Sequence, residues 1–163
     1  MSSEDRFFQV LREFVALSGG QGEAVDSGTE VSFEFDGMLA FIFMHPTEDM
    51  AVIDVEILAL QDPGGNAVHR ERMLMLHQLN SITRFTHGAT AFVSVDNMLM
   101  LSRNIVLDRL TGKDLAERLG EMLDTAAELR STWNNLRELI VKAGQAAQGQ
   151  TAAEMFLSPG QFA

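Results

Sequence analysis

The chain has no cysteine and no tyrosine, only three prolines and a single tryptophan. Without cysteine there is no disulfide framework, no thiolate nucleophile and no Cys-zinc site. Basic residues are also scarce, with 12 Lys+Arg facing 23 Asp+Glu for a formal net charge of −11. Binding to nucleic acid regardless of sequence rests on neutralising phosphates with Lys and Arg, so this balance argues strongly against it. It argues equally against docking on an anionic membrane. The longest unbroken apolar run, Met38 to Met44, has seven residues, where a spanning helix needs about 20. The start of the chain, Ser2-Ser3-Glu4-Asp5, is acidic where a signal peptide would be basic. The expectation is a cytoplasmic protein that neither binds nucleic acid nor inserts into a membrane.

What is present suits one globular domain: 163 residues, 46% apolar and 21% charged. Glu4 to Ser18 reads as a helix, with Phe7, Val10, Leu11, Phe14 and Leu17 recurring at three- and four-residue steps before Gly19-Gly20. The period then changes to two. Val31, Phe33 and Phe35 alternate with Ser32 and Glu34, and Asp36-Gly37 is a strong hairpin signal. Leu39 to His45 is the return strand, apolar at every position before His45 and closed by Pro46. Met50 to Leu60 is a third strand, with Ala51, Ile53, Val55, Ile57 and Ala59 as its core side.

A loop at Asp62-Pro63-Gly64-Gly65-Asn66 leads to a second helix expected over Arg70 to Thr86. Ala91 to Val95 and Met98 to Arg103 read as strands joined at Asp96-Asn97. Thr111 with Asp114 three residues on is a helix-start signature. From there Leu115, Leu119, Met122, Ala126, Leu129, Trp133, Leu136 and Ile140 keep a 4-3 spacing. A continuous helix of that span would be about 45 Å long. The order is α-β-β-β-α-β-β-α, an α+β layout of a twisted antiparallel sheet with helices packed on it. The expected domain is 1–143, with 144–163 a flexible tail.

No constellation of catalytic groups emerges. His45, His69, His77 and His87 lack carboxylate partners at metal-site spacing. Asp54 and Glu56 are paired carboxylates on one strand side, and the same i, i+2 pattern at Glu34 and Asp36 reads as a solvated sheet face. The glycine clusters Gly19-Gly20-Gln21-Gly22 and Gly64-Gly65 lack phosphate-loop or dinucleotide spacing, and there is no Gly-x-Ser-x-Gly elbow. No catalytic, metal or cofactor-binding residue is expected, and the chain reads as a non-enzyme.

The apolar arcs of the first two helices, about 180° and 200°, exceed the ~100° needed to cover a sheet. The surplus points to interfaces. Ten methionines, among them Met73, Met75, Met98, Met100 and Met122, suit surfaces that accommodate several partners.

Several stretches resemble the class I type III secretion chaperones, the Tir-chaperone family. Leu76-His77-Gln78-Leu79-Asn80 is similar to the run in that family's second helix. Asp96-Asn97-Met98-Leu99-Met100-Leu101 resembles its acidic turn and following strand. Ile105 to Thr111 followed by Asp114-Leu115 resembles the junction before its last helix, and Val31 to Phe43 its first hairpin. The likeness covers about residues 4 to 140. A second resemblance is to YbjN-like proteins, which would imply a homodimeric module that sequesters a regulatory partner.

The chaperone resemblance implies a cytoplasmic bacterial homodimer without a cofactor. It would hold the N-terminal segment of one or more secreted effectors in extended form, with a secretion-apparatus ATPase as a further partner. It places client contacts on the first helix and first strand, at Phe8 and Val15 or alternatively Val10 and Leu17, with Val31 and Phe33. It places the dimer interface at Met75, Leu76, Leu79, Ile82, Met98 and Met100. Leu136 and Ile140 are expected to project past the sheet or meet the second subunit.

Overall fold

The structure is a computed structural model that describes residues 2–18, 30–60, 67–136, 138–139, 142 and 144–146. Residues 147–163 of the expected tail, and Ile140, lie outside these.

Helix α1 spans Ser3–Leu17. It opens on a capping box in which the Ser2 hydroxyl accepts from the Asp5 N–H (3.1 Å) and the Asp5 carboxylate accepts from the Ser2 N–H (3.0 Å). Strands β1 (Glu30–Phe35), β2 (Met38–Met44) and β3 (Met50–Ala59) form an antiparallel meander. The β1–β2 turn has positive φ at both Asp36 and Gly37, as a two-residue hairpin of type I′ requires. Helix α2 is Ala67–Asn80, β4 is Thr90–Val93, β5 is Met98–Val106 and α3 is Gly112–Thr132. The sheet order is β1-β2-β3-β5-β4, antiparallel throughout, so β1 and β4 are the edges. The expected element order and α+β class hold.

Several boundaries differ from the sequence reading, with α2 beginning at Ala67 rather than Arg70 and β5 running on to Val106 rather than ending at Arg103. Helix α2 stops at Asn80 rather than Thr86, because the Asn80 side chain leaves the helix to pair with strand β4. Its amide donates to the Ala91 carbonyl (2.7 Å) and its oxygen accepts from the Ala91 N–H (2.8 Å). Asn80 thus occupies the hydrogen-bonding row of the β4 edge as a neighbouring strand would. Strand β4 ends at Val93, since Ser94 N–H returns to the Met98 carbonyl and Asn97 takes a positive φ, leaving Val95 at the exposed tip.

The long last helix is broken too. Regular α geometry ends at Thr132, and Trp133–Asn135 tightens into a 3₁₀ turn. Leu136, expected to project beyond the sheet, is buried in the core instead, and Leu139 joins it there. The predicted box at Thr111 and Asp114 is present in both directions.

One face of the sheet carries the core. Val31, Ala40, Ile42, Ile53, Val55, Leu99, Leu101 and Ala91 point to it, against α1 and the α3 seam of Leu115, Leu119, Met122, Ala126 and Leu129. A register shift between Glu56 and Leu58 turns β3, so that Ile57 and Leu58 both join this core. Arg103, also on this face, reaches α3 and pairs with Glu121 at 2.9 Å. Burial pushes the Glu121 carboxyl up, but hydrogen bonds from Arg103 and Arg118 outweigh it and hold the group below its ordinary range.

Helix α1 packs beside α3 on the core side of the sheet, so its apolar arc meets both α3 and the strands, which explains its width. Phe7, Val10, Leu11, Phe14 and Val15 are all buried, Phe14 meeting Phe33 edge-on with centroids 5.3 Å apart. At the crossing, Gly112 donates its N–H to Glu13 (3.0 Å) and holds that carboxyl below its usual range. A Cβ on Gly112 would stand 2.4 Å from the Glu13 Cβ and 2.5 Å from the Phe14 nitrogen. Gly112→Ala should therefore separate the helices and cost about 1–3 kcal/mol, read as a fall in melting temperature.

Candidate functional site

Of the expected client residues, the structure leaves three with accessible surface. Val10, Val15 and Val31 are core residues, because α1 is covered on both sides and the β1 core face is roofed by Phe14's helix. They have nothing to offer a client. Phe8 is half-buried beside Phe7, Phe33 is half-buried between Phe14 and Phe35, and Leu17 is 63% exposed at the end of α1. With the exposed Phe35, this leaves a small apolar rim along the β1 edge.

The expected dimer residues divide similarly. Leu76 and Leu79 are sealed in the chain's own core, Leu79 with 0% of its surface accessible, and Met100 keeps 9%. Met75, Ile82 and Met98 are half-buried. The exposed side of α2 carries Arg70, Glu71, Leu74, His77 and Gln78, with Leu74, 66% exposed, the large apolar group among its described side chains.

A larger apolar surface lies elsewhere, on the sheet face turned away from α1 and α3. Alternation and register put Glu34, Leu39, Glu56, Met100 and Phe92 in one row across the sheet. Ser32, Phe41, Asp54, Ser102 and Thr90 form the next, and Glu30, Phe43, Val52 and Asn104 a third. Leu39 and Phe92 are 40% and 37% exposed, and Phe41 and Phe43 half-buried. Val52 and Met100 are buried by their neighbours on this face yet do not belong to the main core cluster. The signal was the strand Leu39 to Met44, apolar at every position: a strand with one wet face alternates, and this one does not.

Asp54 sits at the centre of this face on the middle strand. It is not the fully solvated residue its spacing suggested. Burial raises its carboxyl above the ordinary range, against a hydrogen bond from Ser102 that acts to lower it. Its Oδ1 is sealed from solvent without a hydrogen-bond partner. A carboxylate whose folded value is raised is stabilising in its protonated form, and that contribution is lost as pH rises through the folded value. Asp54→Asn should therefore raise the melting temperature at pH 7, by up to about 1 kcal/mol of stability, and leave it unchanged near pH 3. Melting curves at the two pH values check this.

The histidines serve local structure or the surface. The His45 ring accepts from the Glu48 N–H (3.2 Å) in the β2–β3 turn, and His87 lies 3.9 Å from Glu121. Among the described residues, no group of three or more His, Asp or Glu could hold a metal ion, and no helix is long and apolar enough to cross a membrane. A cleft of about 640 Å³ lies at the start of α1 against Asp49 and Asp108 and opens to solvent.

No protein-family model and no curated protein sequence matches the chain. Solved structures do. The chain is similar to one in a structure of the ExsC–ExsE complex, with a TM-score of 0.64 and 17% identity over 80% of this chain and 96% of that one. It matches one in the HopA1–SchA chaperone–effector complex at 0.60 and 11% identity, covering 78% and 96%. It also matches a Yersinia pestis type III secretion chaperone structure, SycH with a stable fragment of YscM2, at 0.54 and 16% identity, covering 76% and 98%. The chain has the fold of the type III secretion chaperones. At these identities the likeness is one of fold, and it spans nearly the whole of each matched chain. The chain itself has two helices on one sheet face and α2 beside the β4 edge, and its described helices leave the second face open.

Proposed function

We propose that this protein is a secretion chaperone that holds a segment of an effector protein in a non-globular form. It keeps that segment fit for export and delivers it to a secretion apparatus, whose ATPase is the expected receiving partner. The observation that carries this reading is the open apolar sheet face, on a fold shared with chaperone–effector complexes. Leu39, Phe41, Phe43 and Phe92 provide shallow seats for apolar anchors of a client, and β1, which no second strand pairs among the described residues, provides an edge for backbone pairing. The opposite edge is occupied by Asn80 at Ala91, which directs strand addition to β1. In the middle of the face all strand backbone is already paired, so a client crossing there satisfies its own backbone by local helical turns.

The test is limited proteolysis of a complex captured from co-expression with candidate effectors, with fragments read by mass spectrometry. A chaperone leaves one effector segment protected and the flanking chain cleavable. An effector resistant along its whole length would mean that a folded protein is bound, and would contradict the reading.

The protein is proposed to act as a homodimer through the exposed side of α2, with Leu74 beside the half-buried Met75. Wild type should scatter light as twice the 18.0 kDa chain. Leu74→Asp should give the single-chain mass with an unchanged circular dichroism spectrum, because like charges would meet across a two-fold axis. A wild-type mass of one chain at micromolar concentration would rule out the dimer.

A further inference from the structure

The open sheet face has only one sign of charge. Its charged groups are Glu30, Glu34, Asp54 and Glu56, and among the described Lys and Arg residues only Arg103 lies in a strand, where it turns to the opposite face to pair with Glu121. Asp54 and Glu56 stand side by side on the central strand, flanked by Phe41 and Leu39 from β2 and by Ser102 and Met100 from β5. Neither carboxylate has a basic side chain of its own sheet face within reach. Asp54 is half-buried with one oxygen sealed and without a partner, which makes its ionised form costly, and a cation placed over the accessible part of the carboxylate lowers that cost. A face meant only to be wetted would surround Asp54 with polar neighbours, whereas here Ser102 is joined by Leu39, Phe41, Val52 and Met100.

We infer that Asp54 and Glu56 are specificity-determining residues that select client segments carrying a Lys or Arg among their apolar anchors. The occupant of this face is an amphipathic cationic segment: its apolar side chains cover Leu39, Phe41, Met100 and Phe92, and its basic group lies over the two carboxylates. Purely apolar or acidic segments are disfavoured, because they would bury both carboxylates unpaired. The inference rests on the chaperone reading for its biological occupant, but the selectivity belongs to the surface itself.

Three synthetic 18-residue peptides of identical leucine spacing test this, with Lys, Gln or Glu at the same positions on their apolar margin. Titration with fluorescence anisotropy at physiological salt should show the Lys peptide binding at least about tenfold more tightly than the Gln peptide, and the Glu peptide not at all. The double variant Asp54→Asn/Glu56→Gln should erase the Lys-over-Gln preference. The control Asp124→Asn/Glu138→Gln, which removes the same formal charge from the exposed surface of the last helical segments, should keep it. Equal losses in the two variants would show attraction to net charge alone and overturn the proposal, as would failure of the Lys peptide to bind. If the preference behaves as expected but proteolysis finds only folded partners, the chaperone reading fails and the selective face stands. If an unfolded effector segment is captured with no such preference, the chaperone reading stands and this inference fails.

Discussion

Leu39→Ser combined with Phe92→Ser leaves a folded protein that no longer captures its client. Both side chains are more than a third exposed and lie in one row across the open sheet face, on either side of Glu56 and Met100, so neither supports the core. Each removes an anchor whose burial contributes about 1.5–3 kcal/mol, or about ten- to a hundredfold in affinity. The double variant should therefore bind at least about a hundredfold more weakly, with a melting temperature within a few degrees of wild type. Co-purification and calorimetry read the two quantities separately. A folded double variant that binds as tightly as wild type would move the client to the Leu17–Phe35 rim.

Val10→Glu and Phe14→Glu, by contrast, should both fail to fold. The two side chains are 1% and 2% exposed in the core. A carboxylate there has no partner, and the cost of several kcal/mol is comparable to the whole stability of a domain this size. Circular dichroism should show lost helix signal and no cooperative melt. If Val10→Glu were folded but inactive, α1 would line the client site after all.

The contrast between these two pairs marks what the sequence made legible. Periodicity located every element in order, and the Asp36-Gly37 turn and the Thr111–Asp114 box were readable from residue types whose chemistry is local. The side chains assigned to the client were not readable, because an apolar arc on α1 looks the same whether its surplus meets a partner or a second helix. Only the close approach of Gly112 to Glu13 and Phe14 reveals that α3 covers the other flank. The end of α2 was hidden likewise: Ile82 and Phe85 continue its apolar pattern, but the Asn80 side chain stops the helix by bonding to Ala91, eleven residues away. The open face could have been found from β2, whose unbroken apolar run needed two dry faces. Its acidic pair was read as solvated because i, i+2 spacing carries no information on what the neighbouring strands supply.

Hydrogen–deuterium exchange of a captured complex tests the central claim most directly. The account predicts slowed exchange in one effector segment only, together with slowed exchange in β1, β2 and β3 on the chaperone side. Protection along the entire effector, or protection of this protein confined to the exposed side of α2, would contradict it.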